Sequence, residues 1–191
     1  MRPSHPRESL QDVLVERFCL AATVLAIVGG RASTASAEPS RDVPSVFFVA
    51  KSENRNQVHY GLHLDASCTP AGPAPVFVYW RMLEHGPGAT EPLLSREVAA
   101  YGVADQRIVE RRSDGGRVVL HLRALPDRAI EIATTAHDGR CDVSATTPID
   151  GATAILVSVY AQLRWPFGVD YLLLSGRSLP DGHALRERLA R

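Results

Sequence analysis

Residues 57–65 read QVHYGLHLD. Val58, Tyr60, Leu62 and Leu64 fall on one side, and Gln57, His59, Gly61, His63 and Asp65 on the other. Side chains of a strand point alternately to its two faces, so this period of two predicts a half-buried antiparallel strand. RVVLHLRAL alternates the same way, with Val118, Leu120 and Leu122 inward. VFFVAKS, VFVYWRML, AIEIATT, CDVSATT, AILVSVYAQLRW and VDYLLLSG carry the β-branched and aromatic residues that strands favour. Asp114-Gly115, Asp138-Gly139 and Asp150-Gly151 separate such runs, and Asp-Gly supplies the positive φ angles of tight hairpin turns. The pattern predicts an all-β fold, an antiparallel barrel or sandwich of about eight strands.

One segment departs from the period. TEPLLSREVAAYGV offers Thr90 as an N-cap, Pro92 in the first turn and Gly102 as a stop, with Leu94, Val98 and Tyr101 on one helical face. It predicts one short helix against the sheet or across a barrel end. HALRERL near the C-terminus reads as a further helical turn.

The N-terminus reads as an export signal. FCLAATVLAIVGG is a continuous apolar run whose helix would be roughly 20 Å long, short of the ~30 Å hydrocarbon core. Ala35-Ser36-Ala37 follows as a small-x-small cleavage site, with cleavage before Glu38. Glu8, Asp12 and Glu16 offset Arg2, Arg7 and Arg17 ahead of the run, which departs from the usual basic n-region and leaves an uncleaved anchor as the alternative. The expected organisation is a signal peptide over 1–37, a polar leader over 38–45 and one β domain over 46–191, periplasmic or extracellular, with no stable membrane span after cleavage. Removing the signal removes Cys19 and leaves Cys68 and Cys141. In an exported protein such a pair is most simply a disulfide, and a nucleophilic cysteine is the alternative.

Net charge is zero, so a broad phosphate-binding face and a nucleic acid partner are not expected. His59 and His63 share a strand face but lie roughly 13 Å apart, too far for one zinc ion. His85, His121, His137 and His183 form no ligand motif either, so no metal is expected. A Gly-x-Ser-x-Gly elbow and a glycine-rich phosphate loop are both lacking, and no cofactor is expected.

KSENRN stands out against this background. Lys51 is the only lysine, and Asn54 and Asn56 are the only asparagines, in a chain that otherwise uses arginine for its cations. An amide offers donors and acceptors together, and a lysine is a compact, adjustable charge. The cluster therefore predicts a place where hydrogen-bond geometry matters, for a ligand or for tying the loop to its neighbours. Lys51 is expected to pair with a carboxylate, Glu97 first. Ser52, Tyr60, Tyr79, Trp80, Arg81 and Tyr101 complete the candidate site with Lys51, Asn54, Asn56 and Glu97.

Lys51-Ser52-x-Asn54-x-Asn56-x-Val58-x-Tyr60 resembles the opening motif of a family of small exported bacterial proteins, a domain of unknown function of the DUF4833 type. Val78-Tyr79-Trp80, Glu97 with Ala100-Tyr101-Gly102, and Val169-Asp170-Tyr171 leading to Ser175-Gly176-Arg177 extend the resemblance over roughly residues 46–189. It implies an exported, compact domain with no established activity and assigns no residue a role. The function expected is non-enzymatic binding of a small molecule or an envelope protein. The alternative is a small envelope hydrolase or isomerase using Lys51 or a histidine with Glu97.

Overall fold

The computed structural model describes residues 45–84, 86, 88–164 and 168–190. The segments expected as signal peptide and polar leader, up to residue 44, and His85 lie outside the described residues. Eleven strands and one helix follow in the order β1 (Phe47–Lys51), β2 (Asn54–Leu62), β3 (Val76–Met82), β4 (Ala89–Pro92), α1 (Ser95–Tyr101), β5 (Val103–Arg112), β6 (Gly115–Leu122), β7 (Leu125–His137), β8 (Arg140–Ile149), β9 (Ala152–Arg164), β10 (Gly168–Ser178) and β11 (Ala184–Ala190).

The strands form two meanders hung from one long strand. β1 to β4 pair in sequence order, β5 to β9 do the same, and β10 and β11 continue from the other edge of β9. The meanders join where β1 runs parallel to β9, Phe48 opposite Ser158 and Lys51 opposite Ala161. β8 uses the same edge of β9 earlier, from Ala152 to Ile155. One edge can serve two strands because β9 carries a bulge between them. Leu156 pairs with Gly176 and Ser158 with Ser175, which leaves Val157 without a partner on β10. The inward set accordingly changes phase, from Ala154 and Leu156 to Val159 and Ala161. Such an extra residue bends its strand and increases the local twist. Gly176 faces the bulge, where a Cβ would lie 2.5 Å from the Ile155 carbonyl oxygen, so only glycine fits.

β3 approaches β5 on the far side, and a side chain spans the seam. Gln106 of β5 accepts from the Val76 N–H through Oε1 at 2.7 Å and donates from Nε2 to the Val76 carbonyl at 3.1 Å. One amide thus stands in for a rung of backbone ladder. The Cys68–Cys141 disulfide also joins the meanders, from the β2–β3 loop to β8, as the cysteine pair predicted. Inside lies one apolar core, drawn from β1, β2, β3, β6, β7, β8, β9 and β10.

Several expectations change. Eleven strands in a single sheet that does not close replace the eight-stranded barrel or sandwich, and the β1–β9 pair is parallel. Thr90 and Pro92 belong to edge strand β4, so the helix starts at Ser95 with Leu94 at its N-cap. Gly102 ends it with extended backbone. HALRERL forms β11, because Leu185 and Leu189, four apart, share a face in a strand as well as in a helix. Arg128 fixes that edge strand through two bonds to the Glu187 carboxylate, at 2.7 and 2.8 Å, and also donates to the Pro148 carbonyl. The hairpins at Asp138-Gly139 and Asp150-Gly151 have positive φ at both residues, the type I′ geometry that Asp-Gly selects.

Candidate functional site

Three inward-facing rows run out at one end of the first meander. In β1, Phe47 and Val49 are buried and Lys51 comes next on the same face. In β2, the row Tyr60, Val58, Asn56 ends in an amide, and in β3 the row Val76, Val78, Trp80 ends in Met82. Strand alternation thus places Lys51, Asn56 and Trp80 together where the core meets solvent. Glu91 and Pro92 from β4, Leu94 and Glu97 supply the facing wall. The result is a cleft of about 440 Å³, within the usual size range of small-molecule sites, about 300–1,000 Å³.

Trp80 organises it. The Lys51 ammonium lies 5.2 Å from the indole centroid, a cation–π contact, and 3.4 Å from Glu53 Oε2. The indole N–H donates to Glu97 Oε2 at 2.9 Å, and the same oxygen accepts the Leu94 N–H at 2.8 Å. Tyr101 meets the indole edge-on, with centroids 5.7 Å apart. Lys51 therefore does not form the ion pair with Glu97 that the sequence suggested. The turn Ser52-Glu53 puts Glu53 two residues away, and Glu97 is engaged by Trp80 and by the start of α1. Lys51 and Glu97 are coupled through the ring they share.

The amides hold the walls. Asn56, 7% exposed, accepts two backbone N–H groups through Oδ1, from Leu83 at 2.9 Å and Glu84 at 3.0 Å. Asn54 Oδ1 accepts the Asn56 N–H at 3.1 Å. Ser52 Oγ accepts the Leu163 N–H at 3.0 Å, which pins the hairpin to β9. Neither asparagine has positive φ. They are present here for their acceptors, and not for left-handed backbone.

The remaining candidates fall elsewhere. Tyr60 is wholly buried against Phe47, and its hydroxyl donates to the Tyr101 carbonyl at 2.6 Å, anchoring the end of α1. Burial pushes that hydroxyl far above the ordinary tyrosine pKa. Burial also raises Tyr101, with Glu53 and Glu97 adding to the effect. Tyr79 and Arg81 alternate with Trp80 and so face outward, away from the cleft. There Phe48, His59, Tyr79, Phe77 and His63 stack in a row, with centroids 4.3 to 5.8 Å apart. His59 bonds Ser45 Oγ at 2.6 Å and Gln57 Oε1 at 3.0 Å. Burial, and then the Arg81 charge, lower its pKa to about 4.

Met82, Glu91, Pro92 and Leu94 line the cleft without having been singled out for it. Met82 was accessible from the sequence, two residues beyond Trp80 in the same inward row. Among the described cleft residues there is no histidine. The His–carboxylate contacts, His121–Asp105, His137–Asp138 and His183–Asp181, are elsewhere on the surface. Among the described residues no cluster of three or more His, Cys, Asp or Glu side chains is placed to hold a metal ion, and no helix is long and apolar enough to cross a membrane. What the cleft offers is one cation beside an aromatic ring, two carboxylates and an apolar ledge of Met82, Pro92 and Leu94.

Fold and cleft together define an all-β domain curled around one core, with a ligand-sized recess at one end. The chain belongs to the family described as a domain of unknown function (DUF4833), whose model matches residues 47–188. That span opens on the first residue of β1 and ends within β11, so the family unit is the whole eleven-stranded fold. No curated protein and no solved structure matches the chain.

Proposed function

We propose that the protein is an exported, non-enzymatic binding domain, periplasmic or extracellular, that takes a small molecule in the Lys51–Trp80–Glu97 cleft. The observation that carries this reading is the end of three core rows in a recess where the Lys51 ammonium rests on the Trp80 ring. Here the core finishes in an aromatic ring, an ammonium and a braced amide, the mixture of apolar surface and few polar groups that ligand sites use. The ion pair Lys51 makes with exposed Glu53 is of the surface kind, typically worth no more than about 1 kcal/mol, so an anionic group on a ligand can displace it. Export is supported by the apolar run before Ala35-Ser36-Ala37 and by the disulfide.

Lys51 and Glu97 lining one cleft also supports a second reading, a small envelope hydrolase or isomerase using that pair. Native mass spectrometry of protein purified from its own host separates the two. A bound small molecule of constant mass, lost from Lys51→Met, supports binding. Its conversion to a second species on incubation supports the enzyme, and a protein carrying nothing in either form contradicts the cleft as a site.

A further inference from the structure

A second recess lies on the other side of α1. Its floor is the core itself: Val49, Leu122, Leu125, Val159, Ala161 and Leu172, all at most 3% exposed. Its rim is formed by Ala99 and Ala100 of α1 and by Arg123 at the end of β6, all exposed. The volume is about 290 Å³, near the lower end of small-molecule sites. Tyr101 and Arg123 are the lining residues with polar side chains, and the floor residues themselves are all apolar. A polar ligand would lose its hydration there with nothing in return, so the floor selects an apolar chain. The volume admits one chain and not a bulky multi-chain lipid.

The charges around the mouth are unequal. Glu53 and Glu97 act on the Tyr101 hydroxyl, on the side toward the Trp80 cleft. Arg123 stands on the rim beside the end of α1, its backbone N–H bound to the Gly102 carbonyl, and no ion pair of its guanidinium occurs among the described residues. A guanidinium matches a carboxylate through paired donors. We infer that this recess binds a single-chain aliphatic carboxylate, with the chain on the Val49–Leu122–Val159 floor and the head group at Arg123. The site is separate from the proposed cleft and does not depend on it.

The test is calorimetric titration of the full exported protein with octanoate, decanoate, dodecanoate and 1-dodecanol, all below micelle formation. Affinity should rise roughly fourfold per added methylene, the gain from burying one CH₂. Dodecanoate should bind more tightly than dodecanol, and Arg123→Ala should reduce that preference by roughly two- to fivefold, the range of a solvent-exposed ion pair. Ala161→Phe fills the floor and should abolish binding. Because that change can overpack the core, Ala100→Trp on the exposed rim provides a second block that leaves the core alone. Lys51→Met should bind dodecanoate as the wild type does. A flat chain-length series, or undiminished binding in both Ala161→Phe and Ala100→Trp, would overturn the site. Equal affinity for dodecanoate and dodecanol would overturn the carboxylate assignment.

Discussion

Trp80 and Glu97 are joined by a 2.9 Å hydrogen bond that links the core of the first meander to α1. The helix needs that link. None of its residues is buried, and Leu94 and Val98 stay 55% and 43% exposed. A fully buried leucine contributes about 1.5–3 kcal/mol, and α1 has no such anchor. It is held by Glu97, by the Tyr101 carbonyl receiving the Tyr60 hydroxyl, and by the Gly102 carbonyl receiving the Arg123 N–H. Glu97→Ala should cost about 1.5–3 kcal/mol, the range for hydrogen bonds to a charged group. Amide exchange in residues 95–101 should accelerate more than in β6 or β7. Uniform acceleration across the sheet would contradict a local latch.

Asn56 makes a prediction with an order in it. Its Oδ1 serves two backbone N–H groups. Asn56→Leu removes the acceptor and should cost ~1–3 kcal/mol through unpaired N–H groups. Asn56→Asp keeps an acceptor at the same place, so urea unfolding should rank it between wild type and Asn56→Leu. If Asn56→Asp is the more damaging of the two, the acceptor account fails.

His59 gives the pH dependence its sign. Its folded pKa, about 4, lies below the ordinary value of 6.5. The unfolded chain therefore binds the proton first, and stability falls as pH drops from 6.5 toward 4, then levels off. The shift corresponds to about 3 kcal/mol at 1.36 kcal/mol per unit. An NMR titration of the imidazole protons should place His59 near 4, and His59→Gln should flatten the acid limb between 6.5 and 4. A His59 midpoint near 6.5 would refute the assignment.

The disulfide spans 73 positions and joins the two meanders. In the chain-entropy model it stabilises by about 4 kcal/mol. Cys68→Ala with Cys141→Ala should lower the unfolding free energy by that order, without altering dodecanoate binding. Edman sequencing of protein recovered from its own host should start at Glu38, as the proposed export requires, and peptide mapping should recover the Cys68–Cys141 cross-link. Two alkylatable thiols in the exported protein would contradict the pairing.

Eight of the strands were legible, two from alternating apolar residues and six from β-branched and aromatic runs. The other three were hidden by physics that alternation does not report. β5 carries its apolar residues only half-buried at the seam with β3, where an amide replaces the ladder, so VADQRIVERR shows little contrast between its faces. β4 is a four-residue edge strand holding a proline, which left its residues free to read as a helix start. β11 has a four-residue leucine spacing that fits both periods. Lys51 and Asn56, singled out for their rarity, line one cleft together. Tyr79 and Arg81 were misplaced because adjacency to Trp80 in sequence means opposition to it in a strand. The bulge at Val157 was beyond reach, since only the pairing partner Gly176 reveals it.

We propose the Trp80 cleft as a ligand site, and Trp80 can report on it directly. The chain has two tryptophans, so Trp165→Phe leaves Trp80 as the single indole. Small molecules released by denaturing protein from its own host would be titrated into refolded, ligand-free Trp165→Phe protein while its emission is recorded. A ligand in the cleft should give a saturable change in Trp80 emission that is lost when Lys51→Met is added. No change, or the same change with and without Lys51, would contradict the proposal.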